Sequence, residues 1–119
     1  MIEVTRFHNL ALRGGFVIVD VRLVSGPLTD SIGRPALALT RITAGRFEID
    51  LLAHQTDEEL SVSLYHEVLE AAAVATNECP PKVLDFNESA FERAARAAHG
   101  QLGPVSPERL NALLEQFGF

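Results

Sequence analysis

The chain has 119 residues, of which 47% are hydrophobic and 22% are charged, and its formal net charge is -6. These values are typical of one globular domain spanning residues 1–119, and they exclude a disordered or fibrous protein. The arginines are scattered along an acidic sequence and form no basic patch, so we expect no nucleic-acid partner.

The first half of the chain is predicted to form strands. The segment IEVTRF, residues 2–7, is expected to add a short strand before the main ones. FVIVDVRLV, residues 16–24, follows a Gly-Gly pair and is rich in β-branched residues, which favour strands. ALALTRIT, residues 36–43, is the next strand, and a tight turn at Ala44-Gly45 leads out of it.

The segment RFEIDLL, residues 46–52, carries the clearest strand pattern. Phe47, Ile49 and Leu51 alternate with charged residues, as expected for a strand with one buried face. Because its other face is charged, we expect this strand to lie near an edge of the sheet.

The second half is predicted to be helical. Thr56 is a suitable N-cap for a helix that ends near Asn77, before Pro80-Pro81. Asn87 begins a second helix, which is expected to end at Gly100, and Ser106 with Pro107 begins a third. Strands followed by helices indicate an α+β fold, with an antiparallel or mixed sheet of about three or four strands followed by three helices.

The first predicted helix carries a narrow polar stripe on an otherwise apolar surface. At about 100° per residue, one sector holds Glu59, Ser63, His66, Glu67, Glu70 and Asn77. One interpretation is the solvated face of an amphipathic helix. The other is a helix that is buried on nearly all sides and lines a small polar site.

Spacing favours the second interpretation. His66 and Glu70 are four residues apart, so their side chains can reach one ion, and imidazole and carboxylate are both good metal ligands. The pattern HEVLE, residues 66–70, resembles the H-E-x-x-H helix of zincin metallopeptidases, with Glu70 in the place of the second histidine.

The flanking residues extend this resemblance. RFEIDLL followed by an acidic-capped helix is similar to the zincin edge strand and active-site helix. Downstream, Asn87-Glu88 is similar to the Asn-Glu pair of the gluzincin branch, with 17 residues (71–87) between Glu70 and Glu88. The resemblance implies a zincin-like fold in which His66, Glu70 and Glu88 bind a metal and Glu67 is the general base.

The implied reaction is the hydrolysis of a peptide or protein substrate on a metal. Zinc is the family's metal, but two carboxylates make this ligand set harder, so manganese or iron also suits it. They also leave a bound water less acidic, so the chain is either a hydrolase or a catalytically lapsed relative that keeps the metal.

Three further residues have candidate roles. His99 falls on the face of Glu88, but about 16 Å along the helix, so we expect it to interact with the helix C-terminus rather than with the metal. Glu92 is a fallback ligand that is expected to be exposed. Cys79 is a candidate ligand or nucleophile, and we expect it to be a small loop residue.

The alternative function is a non-catalytic α+β module that binds another protein, with the His/Glu stripe in solvent. In that case the C-terminal LLEQFGF would dock on a partner or on the core. The N-terminus lacks a signal-peptide pattern, and no apolar run reaches a membrane span of about 20 residues. We therefore expect a cytoplasmic protein with no membrane contact; its oligomeric state does not follow from the sequence.

Overall fold

A computed structural model describes residues 2–119 and confirms the α+β class. The main sheet has the strand order β1-β2-β6-β5, in which β2 and β6 are parallel and the other pairs are antiparallel. A small hairpin, β3-β4, projects beside it. The strands are β1 (Leu10–Ala11), β2 (Val17–Val24), β3 (Leu28–Thr29), β4 (Pro35–Ala36), β5 (Ala38–Thr43) and β6 (Arg46–Leu52).

The described residues contain three α-helices, and each begins at the predicted cap. These are α1 (Asp57–Ala75), α2 (Glu88–Leu102) and α3 (Pro107–Gln116). Thr56, Asn87 and Ser106 each accept a hydrogen bond from the backbone N–H three residues ahead, which satisfies a donor that the first turn leaves free. Within residues 2–119, none of the helices combines the length and the apolar character that crossing a bilayer requires.

The prediction that RFEIDLL lies at a sheet edge is wrong. This segment is β6, and it lies between β2 and β5. Ala44 and Gly45 both have positive φ, as a two-residue hairpin turn requires, so β5 covers one side of β6 and β2 pairs with the other. Asp50, on the face opposite the helices, is buried beneath Arg22 and Arg41, which pair with its two oxygens. The strands at the two edges are therefore β1 and β5.

Two further boundaries differ from the prediction. The segment expected as an N-terminal strand contains a 3-10 turn, Val4–Phe7, because three-residue spacing brings Val4 and Phe7 to one side, where Phe7 is buried. The second helix passes Gly100 and ends at Gly103, whose φ of 97° disfavours any residue with a side chain.

The helix α1 lies at the centre of the packing, against β5, β6, α2 and α3. Most of its apolar side chains are buried, and the hydroxyl of Tyr65 donates a hydrogen bond to the carbonyl of Gly103. The C-terminal aromatic residues dock on the chain's own core, since the rings of Phe117 and Phe119 contact those of Phe86 and Phe16. This packing holds α1 and the start of α2 side by side.

Candidate metal centre

The polar stripe of α1 is not a uniformly solvated helix face. His66 is only 6% exposed and Ser63 is also buried, while Glu67 and Glu70 are partly buried. Asn77, which the pattern included, lies beyond the end of the helix. The stripe therefore faces α2 and β5 rather than open solvent at the level of His66.

Three carboxylates surround the imidazole of His66. Nδ1 lies 2.8 Å from Glu92 Oε1 and hydrogen-bonds to it. Nε2 lies 2.8 Å from Glu88 Oε1 and 3.5 Å from Glu70 Oε2. Neither of these two contacts has hydrogen-bond geometry, so within residues 2–119 this buried ring nitrogen has no hydrogen-bond partner. An ionised carboxylate only accepts, so Glu92 keeps a proton on Nδ1 and, in the neutral ring, leaves the lone pair on Nε2.

The spacing of the donor atoms suits one small cation. The ligand atoms of His66, Glu70 and Glu88 all lie within 4.8 Å of one another. Bonds of about 2.1 Å place two ligands of a tetrahedral ion about 3.4 Å apart. The two measured separations from Nε2 fall on either side of that value. The three predicted ligands are thus brought together.

Capping of α2 positions Glu88. Asn87 Oδ1 accepts the N–H of Ala90, which begins the helix at Glu88, next to the middle of α1. The ring of Phe91, one turn into α2, lies 6.3 Å from the imidazole of His66, measured between centroids. The first turn of α2 therefore supplies both an acidic ligand and an apolar cover for the histidine.

Glu67, the predicted general base, lines the same cleft beside the cluster. Its Oε1 accepts a hydrogen bond of 2.9 Å from Thr40 Oγ1 on β5. Burial raises the pKa of Glu67 to about 7, although the Thr40 hydrogen bond and the positive charge of His66 act in the opposite direction.

The ionisable groups of the cluster shift one another's pKa values. Burial would lower the pKa of His66, but its contacts with Glu70 and Glu92 and the charges of Glu67 and Glu88 outweigh burial and raise that pKa to about 9. The contact with His66 lowers the pKa of Glu70. Partial desolvation and then Glu70 raise the pKa of Glu88, although the Glu88 side chain is 76% exposed. Without a metal, the ring of His66 near neutral pH is therefore an imidazolium.

An arginine lies behind the cluster. Arg96 on α2 approaches Glu92 Oε2 at 2.9 Å and both oxygens of Glu59 at 3.3 Å. Glu92 therefore has one oxygen on His66 and the other on Arg96. The expectation that Glu92 is exposed is wrong, because the residue is partly buried and accepts a hydrogen bond from a ring nitrogen. Its role as a fallback ligand stays a prediction.

The cluster opens into a cleft of about 660 Å³ between the two helices and the edge strand. Its polar wall carries His66, Glu67, Glu70, Glu88 and Glu92. Its apolar wall carries Leu37, Leu39, Ile42, Ala71 and Val74. Leu37 and Val74 are 52% and 68% exposed, which is high for large hydrophobic residues and leaves apolar surface beside the acidic groups.

The strand β5 turns its outer edge to this cleft. The N–H of Leu52 donates to the carbonyl of Leu37, so alternate residues from Leu37 onward direct their backbone groups to β6. The backbone groups of Ala38, Thr40 and Ile42 point the other way. These three residues line the cleft, which therefore has a strand edge as one border.

The other residues considered from the sequence lie elsewhere. His99 is in the last turn of α2, but its ring turns to α1 rather than to the C-terminus of its own helix, since Nδ1 is 2.8 Å from Ser61 Oγ. It lines a separate pocket with Phe7 and Val105. Cys79 is partly buried in the loop before α2 and packs against the core, in agreement with a structural role.

Sequence reasoning missed Thr40 and Arg96. Glu88, Glu92 and Arg96 recur at four-residue intervals, so the helical period alone identifies the face that they share. Thr40 has no such signal, because its contact with Glu67 joins a strand to a helix that follows 14 residues after the end of that strand.

Comparison with known proteins gives no relative from which a role can be transferred. No protein-family model, curated protein or solved structure matches the chain. The geometry of the cluster and the cleft is therefore what indicates a function.

Proposed function

We propose that His66, Glu70 and Glu88 bind a single divalent cation, and that the chain is a zincin-like, metal-dependent hydrolase or a catalytically lapsed relative that keeps the metal. One observation carries this proposal. A buried ring nitrogen of His66 faces two carboxylates without a hydrogen bond in residues 2–119, while a third carboxylate holds the other nitrogen. Protein metal sites commonly fix a histidine ligand in this way.

The donor set fits a first-row cation. One imidazole and two carboxylates make three protein ligands, which is the number found in catalytic metal sites that keep one position open. The cleft leaves room for a further ligand at that position. Since two of the three donors are hard oxygens, manganese and iron suit the set as well as zinc. A bound cation would polarise a substrate carbonyl as a Lewis acid.

Glu67 is the proposed general base. It lies beside the cluster and faces the same cleft, and the hydroxyl of Thr40 orients its carboxylate. In this role Glu67 takes a proton from a water molecule that attacks the substrate and delivers it to the leaving group. Removing the carboxylate while keeping its size, as in Glu67→Gln, should abolish turnover and retain the metal.

The proposed substrate is an extended peptide. The outward backbone groups of Ala38, Thr40 and Ile42 offer the hydrogen bonds that a strand-like ligand needs. Leu37 and Val74 add exposed apolar surface for one of its side chains. We also propose a cytoplasmic location, because the single thiol, Cys79, suits a reducing compartment.

Metal content is the first test. Purified protein should be stripped with a chelator and titrated with Zn²⁺ and with Mn²⁺ in a calorimeter. We expect one ion per chain, a loss of affinity of at least about 100-fold in His66→Ala, and a large loss in Glu88→Gln. Glu115→Gln, an exposed residue on α3, is the matched control for the lost carboxylate. Wild-type protein that binds neither ion would refute the metal site.

The alternative is a peptide-binding module without turnover. The strand edge of β5 supports it, because strand addition needs neither a metal nor Glu67. Mixed peptides incubated with metal-loaded protein and analysed by mass spectrometry separate the two. Cleavage that Glu67→Gln abolishes favours the hydrolase. Binding that persists in chelator, without cleavage, favours the module.

A further inference from the structure

We infer that Arg96 and Glu92 are positioning residues that hold the imidazole of His66 in its metal-binding form, although neither would touch the metal. This inference rests on the proposed metal site and deepens it. The salt bridge between Arg96 and Glu92 would then determine which ring nitrogen of His66 faces the cation.

The contacts form a continuous path from the surface to the ring. Arg96 lies 2.9 Å from Glu92 Oε2, and Glu92 Oε1 lies 2.8 Å from His66 Nδ1. A carboxylate at Nδ1 requires a proton there, because it has no hydrogen of its own to donate when ionised. Nε2, which faces Glu70 and Glu88, is then the nitrogen that is free to bind.

Arg96 has two functions in this path. It lies 2.9 Å from Glu92 Oε2, and this contact fixes the carboxylate with its other oxygen, Oε1, on His66 Nδ1. Its second contact, with Glu59 in the first turn of α1, ties α2 to the helix that carries His66. Glu88 is on α2, so this brace also influences the separation of Glu88 from Nε2.

The test compares the Mn²⁺ and Zn²⁺ affinities of four variants with wild type. We expect Glu92→Ala to weaken binding by about 10-fold to 100-fold, as for other residues that support a metal-binding histidine. Arg96→Gln should weaken it by about threefold to tenfold. Arg96→Lys, which keeps the charge, should recover most of the loss. Arg93→Gln removes the same charge from an exposed position on the same helix and should stay within about twofold of wild type.

A second measurement does not depend on metal binding. Nitrogen-15 NMR of metal-free protein, at a pH high enough to deprotonate the ring, reports which nitrogen of His66 carries the hydrogen. The inference requires Nδ1–H in wild type and in Arg93→Gln, and loss of that preference in Glu92→Ala and Arg96→Gln.

The outcomes separate this inference from the proposed function. If wild type binds no metal, the metal site fails, and the NMR result alone decides whether the salt bridge orients the ring. Nε2–H in wild type overturns the inference. Equal behaviour of Arg96→Gln and Arg93→Gln in the measurements made also overturns it.

Discussion

Two histidines lie between α1 and α2, and their surroundings differ. At one end, His99 Nδ1 meets Ser61 Oγ, which also accepts the N–H of Val105. Ser61 can therefore donate its own proton to Nδ1, while one carboxylate oxygen, Glu58 Oε1, lies 3.7 Å from Nε2. At the other end, His66 is surrounded by carboxylates, and its Nε2 has no hydrogen bond within residues 2–119. One histidine contributes to the packing of the two helices, while the other is a candidate metal ligand.

The difference shows how a structural histidine can be distinguished from a candidate ligand. Helical spacing does not distinguish His66 from His99, because each lies on a helix face that also carries acidic residues. What separates them is whether the partners of the ring are satisfied and what charge they bring. The predictions below test that contrast at each end.

The largest expected effect is the pH dependence of the metal-free protein. The pKa of His66 is raised to about 9 when folded, against about 6.5 when unfolded, so the folded state holds the proton more tightly. This stabilisation is fully present below pH 6.5 and is lost as the pH rises through 9. It corresponds to a fall on the order of 3 kcal/mol in the free energy of unfolding.

Urea unfolding in the presence of a chelator measures this fall when it is repeated at pH values from 6 upward, about one unit apart. His66→Gln should lose most of it, whereas His99→Gln should retain it. Wild-type stability that stays constant over this interval would contradict the assignment of a charged His66 in the metal-free cluster.

Metal binding should have the next largest effect. A cation at about 100 times its dissociation constant stabilises the folded state by about 2.7 kcal/mol, which raises the melting temperature of a chain of this size by on the order of 10 °C. The gain should grow as the pH rises, because the cation has to displace the proton of His66.

Thermal melts with and without Mn²⁺ or Zn²⁺ provide the measurement. His66→Ala should show no metal-induced shift, and His99→Ala should show the full one. A shift that survives in His66→Ala would locate the bound metal elsewhere.

Disrupting the hydrogen bonds around His99 should reduce the stability of the fold without changing metal binding. Ser61→Ala removes the acceptor of the Val105 N–H and the donor to His99, and both groups are then left with unmet hydrogen bonds. We expect a loss of about 2 kcal/mol in the free energy of unfolding. Metal affinity, measured in the same samples by calorimetry, should remain within about twofold of wild type. A large drop in metal affinity would mean that the two ends are coupled.

The smallest expected effect concerns the strand that borders the cleft. Thr40→Val keeps the side-chain volume and removes the hydrogen bond to Glu67. We expect a change of about 1 kcal/mol or less in the free energy of unfolding and an unchanged metal affinity. Peptide turnover, if the chain is a hydrolase, should fall because Glu67 is less well oriented. Thr43→Val, on the same strand but outside the lining of the cleft, is the matched control.

Local sequence patterns account for much of the fold and for the choice of ligands. Alternation in RFEIDLL predicted the strand, and the cap residues Thr56, Asn87 and Ser106 predicted the start of each helix, because strand faces and helix caps depend on neighbouring residues. The four-residue spacing of His66 and Glu70 placed both on one helix face for the same reason. The prediction that Glu88 lies beside His66 and Glu70 came from the resemblance to a family, and no comparison tests that resemblance.

Tertiary structure decided what local patterns cannot encode. Whether the stripe of α1 is wet or buried depends on how α2 returns across the loop of residues 76–87, and no periodicity in that loop specifies the approach. The order of the strands brought β5, with Thr40, beside Glu67 in place of β6. Burial of His66 and the hydrogen bond that its Nδ1 donates to Glu92 arise only when the two helices meet. The sequence by itself therefore determined which side chains share a face, while packing determined which of them have lost water and face one another, since desolvation depends on contacts between distant segments.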